Sequence, residues 1–156
     1  MEKEPDKLLI DVARLSDEGD DLEGEVDIID INEELVKPFG GVRYRLHARV
    51  YGTELLVTGH LEQDFDLVCS RCGKDFDTTI SVDDFTASVE INDKTDFVDL
   101  TSDARECIIL SLPTYPLCDE ACPGIAQKTI GIADDRWQAL EAVMPGKEDA
   151  EKREKK

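Results

Sequence analysis

No run of roughly 18 or more apolar residues occurs in the chain, so no stretch reads as a membrane-spanning helix. The opening residues, MEKEPDKLLI, are acidic and lack an apolar h-region. They read neither as a secretory signal nor as an Arg-rich transit peptide, and a cytoplasmic setting is expected. A P-loop, a nucleophile elbow and an H-E-x-x-H motif are also missing. The two histidines, His47 and His60, fall in expected strands and read as surface or satisfied residues rather than as general bases. No catalytic residue is assigned, and neither enzymatic activity nor a small-molecule substrate is expected. Cations are scarce as well: 18 Lys and Arg stand against 37 Asp and Glu, for a net charge of -19. Phosphate binding needs a basic footprint, so a generic nucleic-acid binder is disfavoured.

What is present suits one domain of 156 residues, 40% hydrophobic and 35% charged, long enough to bury a core without obligatory disulfides. Charge is uneven. Residues 1–34 hold 14 acidic and 3 basic residues, a local net of -11. Residues 35–60 hold Lys37, Arg43, Arg45 and Arg49 against Glu54 alone, a local net of +3. Three regions are expected: an acidic, partly packed N-terminal segment (1–34), a β-rich metal-binding core with C-terminal helices (35–144), and a polar tail (145–156).

Residues 7–15 fit a strand or a short helix equally. Residues 16–25, SDEGDDLEGE, read as a loop by composition, and 26–31, VDIIDI, as a strand. Pro38 and Gly40-Gly41 predict a turn over 35–41. From residue 42 the period is two: Val42, Tyr44, Leu46, Ala48 and Val50 alternate with Arg43, Arg45, His47 and Arg49. After a Gly52-Thr53 turn, Leu55, Val57 and Leu61, then Phe65, Leu67 and Cys69, continue the alternation. Beyond the Cys-x-x-Cys corner it resumes at Phe76, Thr78, Ile80 and Val82. It then slips by one to Phe85, Ala87, Val89 and Ile91, which predicts a bulge or bend at Asp83-Asp84. Leu100, Ala104, Cys107 and Ile108 fall at helical spacing, with Thr101 or Ser102 as the expected cap and Pro113 beyond the end. A second helix is expected over 134–144. The fold class is therefore α+β: an antiparallel meander that could curl toward a barrel, followed by one or two C-terminal helices.

Five cysteines occur, and four form close pairs: Cys69-x-x-Cys72 and Cys118-x-x-x-Cys122. Each spacer lets one turn of chain present two sulfurs to one ion, and two such turns complete the tetrahedral set that structural zinc prefers. Gly73 supports this by permitting the positive φ that aims N–H groups at sulfur. A redox dithiol and a set of buried, unliganded thiols remain open readings. Strand rather than helix after the first pair weighs against redox chemistry. The leading expectation is one structural zinc on Cys69, Cys72, Cys118 and Cys122, with Cys107 a core residue.

With these motifs placed, the chain resembles the bacterial and plastid YceD-like family of large ribosomal RNA subunit accumulation proteins. The matching positions are Cys69, Arg71, Cys72 and Phe76, then Ile108, Leu110, Leu112, Pro113, Pro116, Leu117, Cys118 and Cys122, and finally Arg136, Trp137 and Leu140. The resemblance spans roughly residues 40–144. Many family members carry further cysteines soon after the second pair, which GIAQKTIGIADD lacks. The resemblance implies a role in 23S ribosomal RNA accumulation and large-subunit biogenesis. Candidate contacts to ribosomal RNA or a protein partner are Arg43, Arg45, Arg49, Arg71 and Lys74, basic groups on a strand face and a rigid corner. The same arginines could instead pair with acids on neighbouring strands. In that case the acidic surface would hold a basic ribosomal protein or assembly factor without touching RNA.

Overall fold

Strict alternation from residue 42 onward builds three strands of a four-stranded antiparallel meander. The structure, a computed structural model, describes residues 6–125. In chain order the elements are β1 (Leu9–Asp11), a 3-10 turn (Val12–Arg14), β2 (Asp20–Val26), β3 (Val36–Tyr51), β4 (Glu54–Val68), β5 (Asp75–Glu90), β6 (Phe97–Asp99) and α1 (Thr101–Leu110). The large sheet has the order β2-β3-β4-β5, and β1 pairs with β6 in a separate two-stranded ribbon. The large sheet is open. The expected curl does not close into a barrel, because β2 and β5 end the sheet as unjoined edges.

One face is apolar throughout. On β4, Leu55, Val57, Leu61, Phe65 and Leu67 are buried, and Val42, Leu46, Ala48, Phe85 and Ala87 join them from the neighbouring strands. Leu100, Ala104 and Ile108 of α1 pack on the same core, as do Leu8 and Ile10 beside β1. No helix among the described residues is long and apolar enough to cross a membrane.

The slip in β5 is a bulge at the expected place. Gly59 pairs with Phe85 and Leu61 with Val82, so His60 alone faces both Asp83 and Asp84. The extra residue lets even-numbered side chains before it and odd-numbered ones after it reach the same core. Gly59 lies beside the bulge because a Cβ there would run into the Arg45 carbonyl oxygen.

Several local expectations change. Residues 35–41 form no turn. They lie in β3, which carries an irregularity between Phe39 and Arg43. Here Gln63 faces the extra residues, and its buried side-chain amide donates to the carbonyls of Phe39 (3.0 Å) and Gly40 (3.3 Å). Pro38 is tolerated because β2 flanks only Val42–Ala48, leaving that stretch of β3 without a second neighbour. The acidic loop of 16–25 is half strand: β2 sets Asp21, Glu23 and Glu25 opposite His47, Arg45 and Arg43. Opposite charges across a strand pair override weak strand propensity. Residues 27–31 are not a strand. Ile28 and Ile29 are both buried, which alternation forbids, and irregular chain tucks them under the core. The ambiguous 7–15 stretch is both things, a short strand and then a 3-10 turn. The hydroxyl of Thr101 does not cap α1. It accepts from the Leu8 N–H (2.9 Å), while the Asp99 carboxylate accepts from the Thr101 N–H (2.9 Å). The expected helix over 134–144 and the tail beyond it lie outside the described residues.

Replacing Gln63 with Leu keeps the volume but removes the donor to the part-buried Phe39 and Gly40 carbonyls. The expected loss is about 1–3 kcal/mol, read from the urea midpoint at unchanged slope. A variant as stable as wild type would show that these carbonyls find other partners.

Candidate metal centre

Two remote segments build the cysteine cluster. β4 ends at Val68 and delivers Cys69 into the core, and the chain turns through Ser70–Lys74 before β5 begins. The turn is closed by the Cys69 N–H donating to the Lys74 carbonyl (2.8 Å) and the Gly73 N–H donating to the Cys69 carbonyl (2.9 Å). Gly73 takes φ +72°, the left-handed conformation that its position after the second cysteine predicted. The segment after α1 returns to this corner, where the Ser70 N–H donates to the Pro116 carbonyl (2.8 Å). There Asp119 shapes the second turn, its carboxylate accepting from the Ala121 N–H (2.7 Å) and its carbonyl from the Cys122 N–H (3.0 Å).

The ligand atoms converge. Cys69 and Cys122 sulfurs lie 3.8 Å apart, those of Cys72 and Cys118 3.7 Å apart, and all four fall within 4.8 Å of one another. A tetrahedral ion with metal–sulfur bonds of about 2.3 Å sets its sulfurs about 3.8 Å apart, so the four residues fit such an ion. These separations are far beyond a disulfide, which needs about 2.05 Å. The separations of 3.7 and 3.8 Å both run between the two turns. Cys107 stands outside this group, half-buried against the core, and burial raises its thiol pKa.

The surroundings of two of the thiols act on them in opposite directions. Backbone N–H groups of Cys118, Cys72 and Arg71 point at the Cys69 sulfur and lower its thiol to about 6. The sulfurs of Cys122, Cys69 and Cys72 crowd Cys118 and push its thiol up to about 12. Backbone N–H groups thus favour the thiolate at Cys69, while neighbouring sulfurs disfavour it at Cys118.

Arg71, expected as a partner contact, has a structural task that its motif did not reveal. Its guanidinium donates to the carbonyls of Glu120 (3.1 Å) and Cys122 (3.3 Å), strapping the first turn to the second. Nothing in the local sequence marks this, because both acceptors are backbone groups about 50 residues away. Of the other expected contacts, Arg43 is held by Asp64 (2.7 Å) and Glu62 (3.4 Å). Arg49 lies 4.8 Å from the Tyr51 ring centroid. Exposed Arg45 and Lys74 have no ion-pair partner among the described residues. His60 bridges Glu62 (2.8 Å) and Asp83 (2.7 Å), and His47 contacts Asp21 (2.7 Å). The stripe is therefore partly neutralised by flanking acids, while Arg71 and Lys74 belong to the cysteine corner.

Two measurements follow. Arg71→Met removes both strap bonds while keeping bulk, and should weaken Co²⁺ binding by roughly 10-fold in a chelator competition read by thiolate charge-transfer absorption. Affinity equal to wild type would make the strap irrelevant to the metal. The Arg43–Asp64 pair is exposed, and a double-mutant cycle should give about 0.2–1 kcal/mol, shrinking in high salt. Hydrogen bonds from Arg43 and then Thr79 hold the Asp64 carboxyl below its ordinary value. Its contribution should therefore be full above the unfolded pKa near 3.8 and disappear as pH falls through the lower folded value. A coupling energy that survives below both values would contradict the ion pair.

No family model matches the chain, and neither a curated protein nor a solved structure is significantly similar to it.

Proposed function

We propose that this protein is a non-enzymatic binding module that supports large ribosomal subunit biogenesis, and so 23S ribosomal RNA accumulation, around one structural zinc ion. The observation that carries the zinc reading is the convergence of Cys69, Cys72, Cys118 and Cys122 within 4.8 Å. Four thiolates would leave the ion no open position, so it would contribute folding energy rather than activate water. The ribosomal role rests on the C-x-R-C and L-P-x-x-P-L-C motifs and their order in the chain.

The mode of contact we favour is through protein. Arg43 is engaged by two carboxylates, and β2 lines the arginine strand with Asp21, Glu23 and Glu25. Such a face suits a basic ribosomal protein or assembly factor better than phosphate. Direct RNA contact is the second reading, and exposed Arg45 and Lys74 favour it.

Protein purified without chelator should carry one zinc. Less than about half an equivalent, with all four thiols freely reactive, would overturn the metal reading. Tagged protein recovered from growing cells should bring down large-subunit components, and 23S RNA should vanish from the pull-down once ribosomal proteins are stripped away. RNA that persists on protein-free extract, and is lost when Arg43, Arg45 and Arg49 become Glu, would replace the protein-mediated mode with the RNA one. Recovery of no large-subunit component would overturn the ribosomal role.

A further inference from the structure

β5 is the last strand of the large sheet, and among the described residues no strand pairs with its outer edge. An edge of this kind presents a row of unpaired N–H and C=O groups that can template another strand. The bulge divides the 16-residue strand into two straight runs, and the first, 75–82, is incompletely covered. Its inward residues Phe76, Thr78, Ile80 and Val82 are only half-buried, whereas Leu67, Phe65, Gln63 and Leu61 opposite them on β4 are fully buried. Beyond the bulge Phe85 and Ala87 are buried in their turn. An apolar flank is therefore left open beside an open backbone edge.

The other face of that run identifies the occupant. Asp75, Asp77, Thr79 and Ser81 are exposed, and β5 contains five acidic residues and no Lys or Arg. Asp77 stands directly opposite Asp66, a like-charge juxtaposition that costs stability. Neither carboxylate has an ion pair among the described residues, although Lys37 of β3 lies in register with Asp66. A second copy of this edge would bring more carboxylates to the same place, whereas a cationic strand would relieve it.

We propose that the 75–82 edge of β5 binds an extended basic polypeptide segment by strand addition. Alternate apolar side chains of the segment cover the flank at Phe76, Ile80 and Val82, and the intervening Lys or Arg side chains lie beside Asp75 and Asp77. Main-chain hydrogen bonds provide affinity, and the two alternating rows select the sequence pattern. The inference deepens the protein-mediated reading above by giving its partner a chemistry.

Hydrogen exchange on the full, zinc-loaded chain tests this, with a ten-residue peptide alternating Lys with Val and Thr as the probe. Amides of residues 75–82 should exchange more slowly with the probe, while those of 85–90 should be unaffected. Asp75→Asn with Asp77→Asn should weaken binding at least ~5-fold, and added salt should weaken it further. A peptide of the same composition with its lysines in one block should not protect the edge. Equal protection by that block peptide, protection elsewhere, or no binding would each overturn the proposal. So would self-association through β5 that excludes the peptide. Should the edge fail while the chain still recovers ribosomal proteins, the proposed role stands. Should ribosomal recovery fail while the peptide still protects 75–82, the edge stands alone.

Discussion

The inward row of β4 is the constraint to which the rest of the molecule conforms. Leu55, Val57, Leu61, Gln63, Phe65 and Leu67 keep one parity along the whole strand, and every one is essentially inaccessible. Neighbouring strands whose sequences do not keep that parity must absorb the difference in backbone. β5 does so with a bulge at Asp83-Asp84. β3 keeps its parity, because its irregularity between Phe39 and Arg43 sets three residues opposite Gln63 and leaves even-numbered residues facing inward on both sides. In β3 the polar member of the row, Gln63, satisfies carbonyls that the disrupted ladder leaves behind. A buried polar group is stable there because its N–H groups meet backbone carbonyls of Phe39, Gly40 and Asp64.

Charge is organised by the same sheet. The acid-rich N-terminal part does not hang off the domain. It supplies β2 and buries Val26, Ile28 and Ile29, and Asp30 pairs with Arg105 of α1. Arg43 of β3 lies between Glu25 of β2 and Glu62 of β4, and Arg45 stands opposite Glu23, so part of the positive field of β3 is neutralised within the protein. What remains outward is acidic, above all at β5, where no cation occurs along the strand. That asymmetry underlies both the preference for a basic partner and the choice of the β5 edge.

The cysteine cluster joins these features at one point. It ties the β4–β5 corner to the chain leaving α1, closing a loop of some 45 residues, and the Arg71 strap and the Ser70–Pro116 hydrogen bond set the two turns facing each other. Cys69, directly after β4, extends the strand's buried row and is also a ligand candidate, so core packing and metal geometry share an anchor. A held corner also fixes where β5 begins, and with it the first residues of the open edge.

Much of this was written in local pattern. Period two from Val42 to Ile91 determined the meander, its parity slip located the bulge, and the spacing of Leu100, Ala104 and Ile108 determined α1. Cys-x-x-Cys-Gly and Cys-x-x-x-Cys marked the cluster, because a short spacer restricts two sulfurs to one neighbourhood whatever the fold. Composition misled where pairing outweighed it: SDEGDDLEGE half-became a strand opposite basic residues, and PFGG became an irregularity inside a strand. Only tertiary structure decided that the two cysteine pairs meet, that Arg71 spends its guanidinium on carbonyls of the second turn, and that the sheet stays open. Each of those depends on groups dozens of residues apart being brought within a few ångströms. Local sequence encodes the backbone's own periodicity and turns, but not which distant surface will close over them.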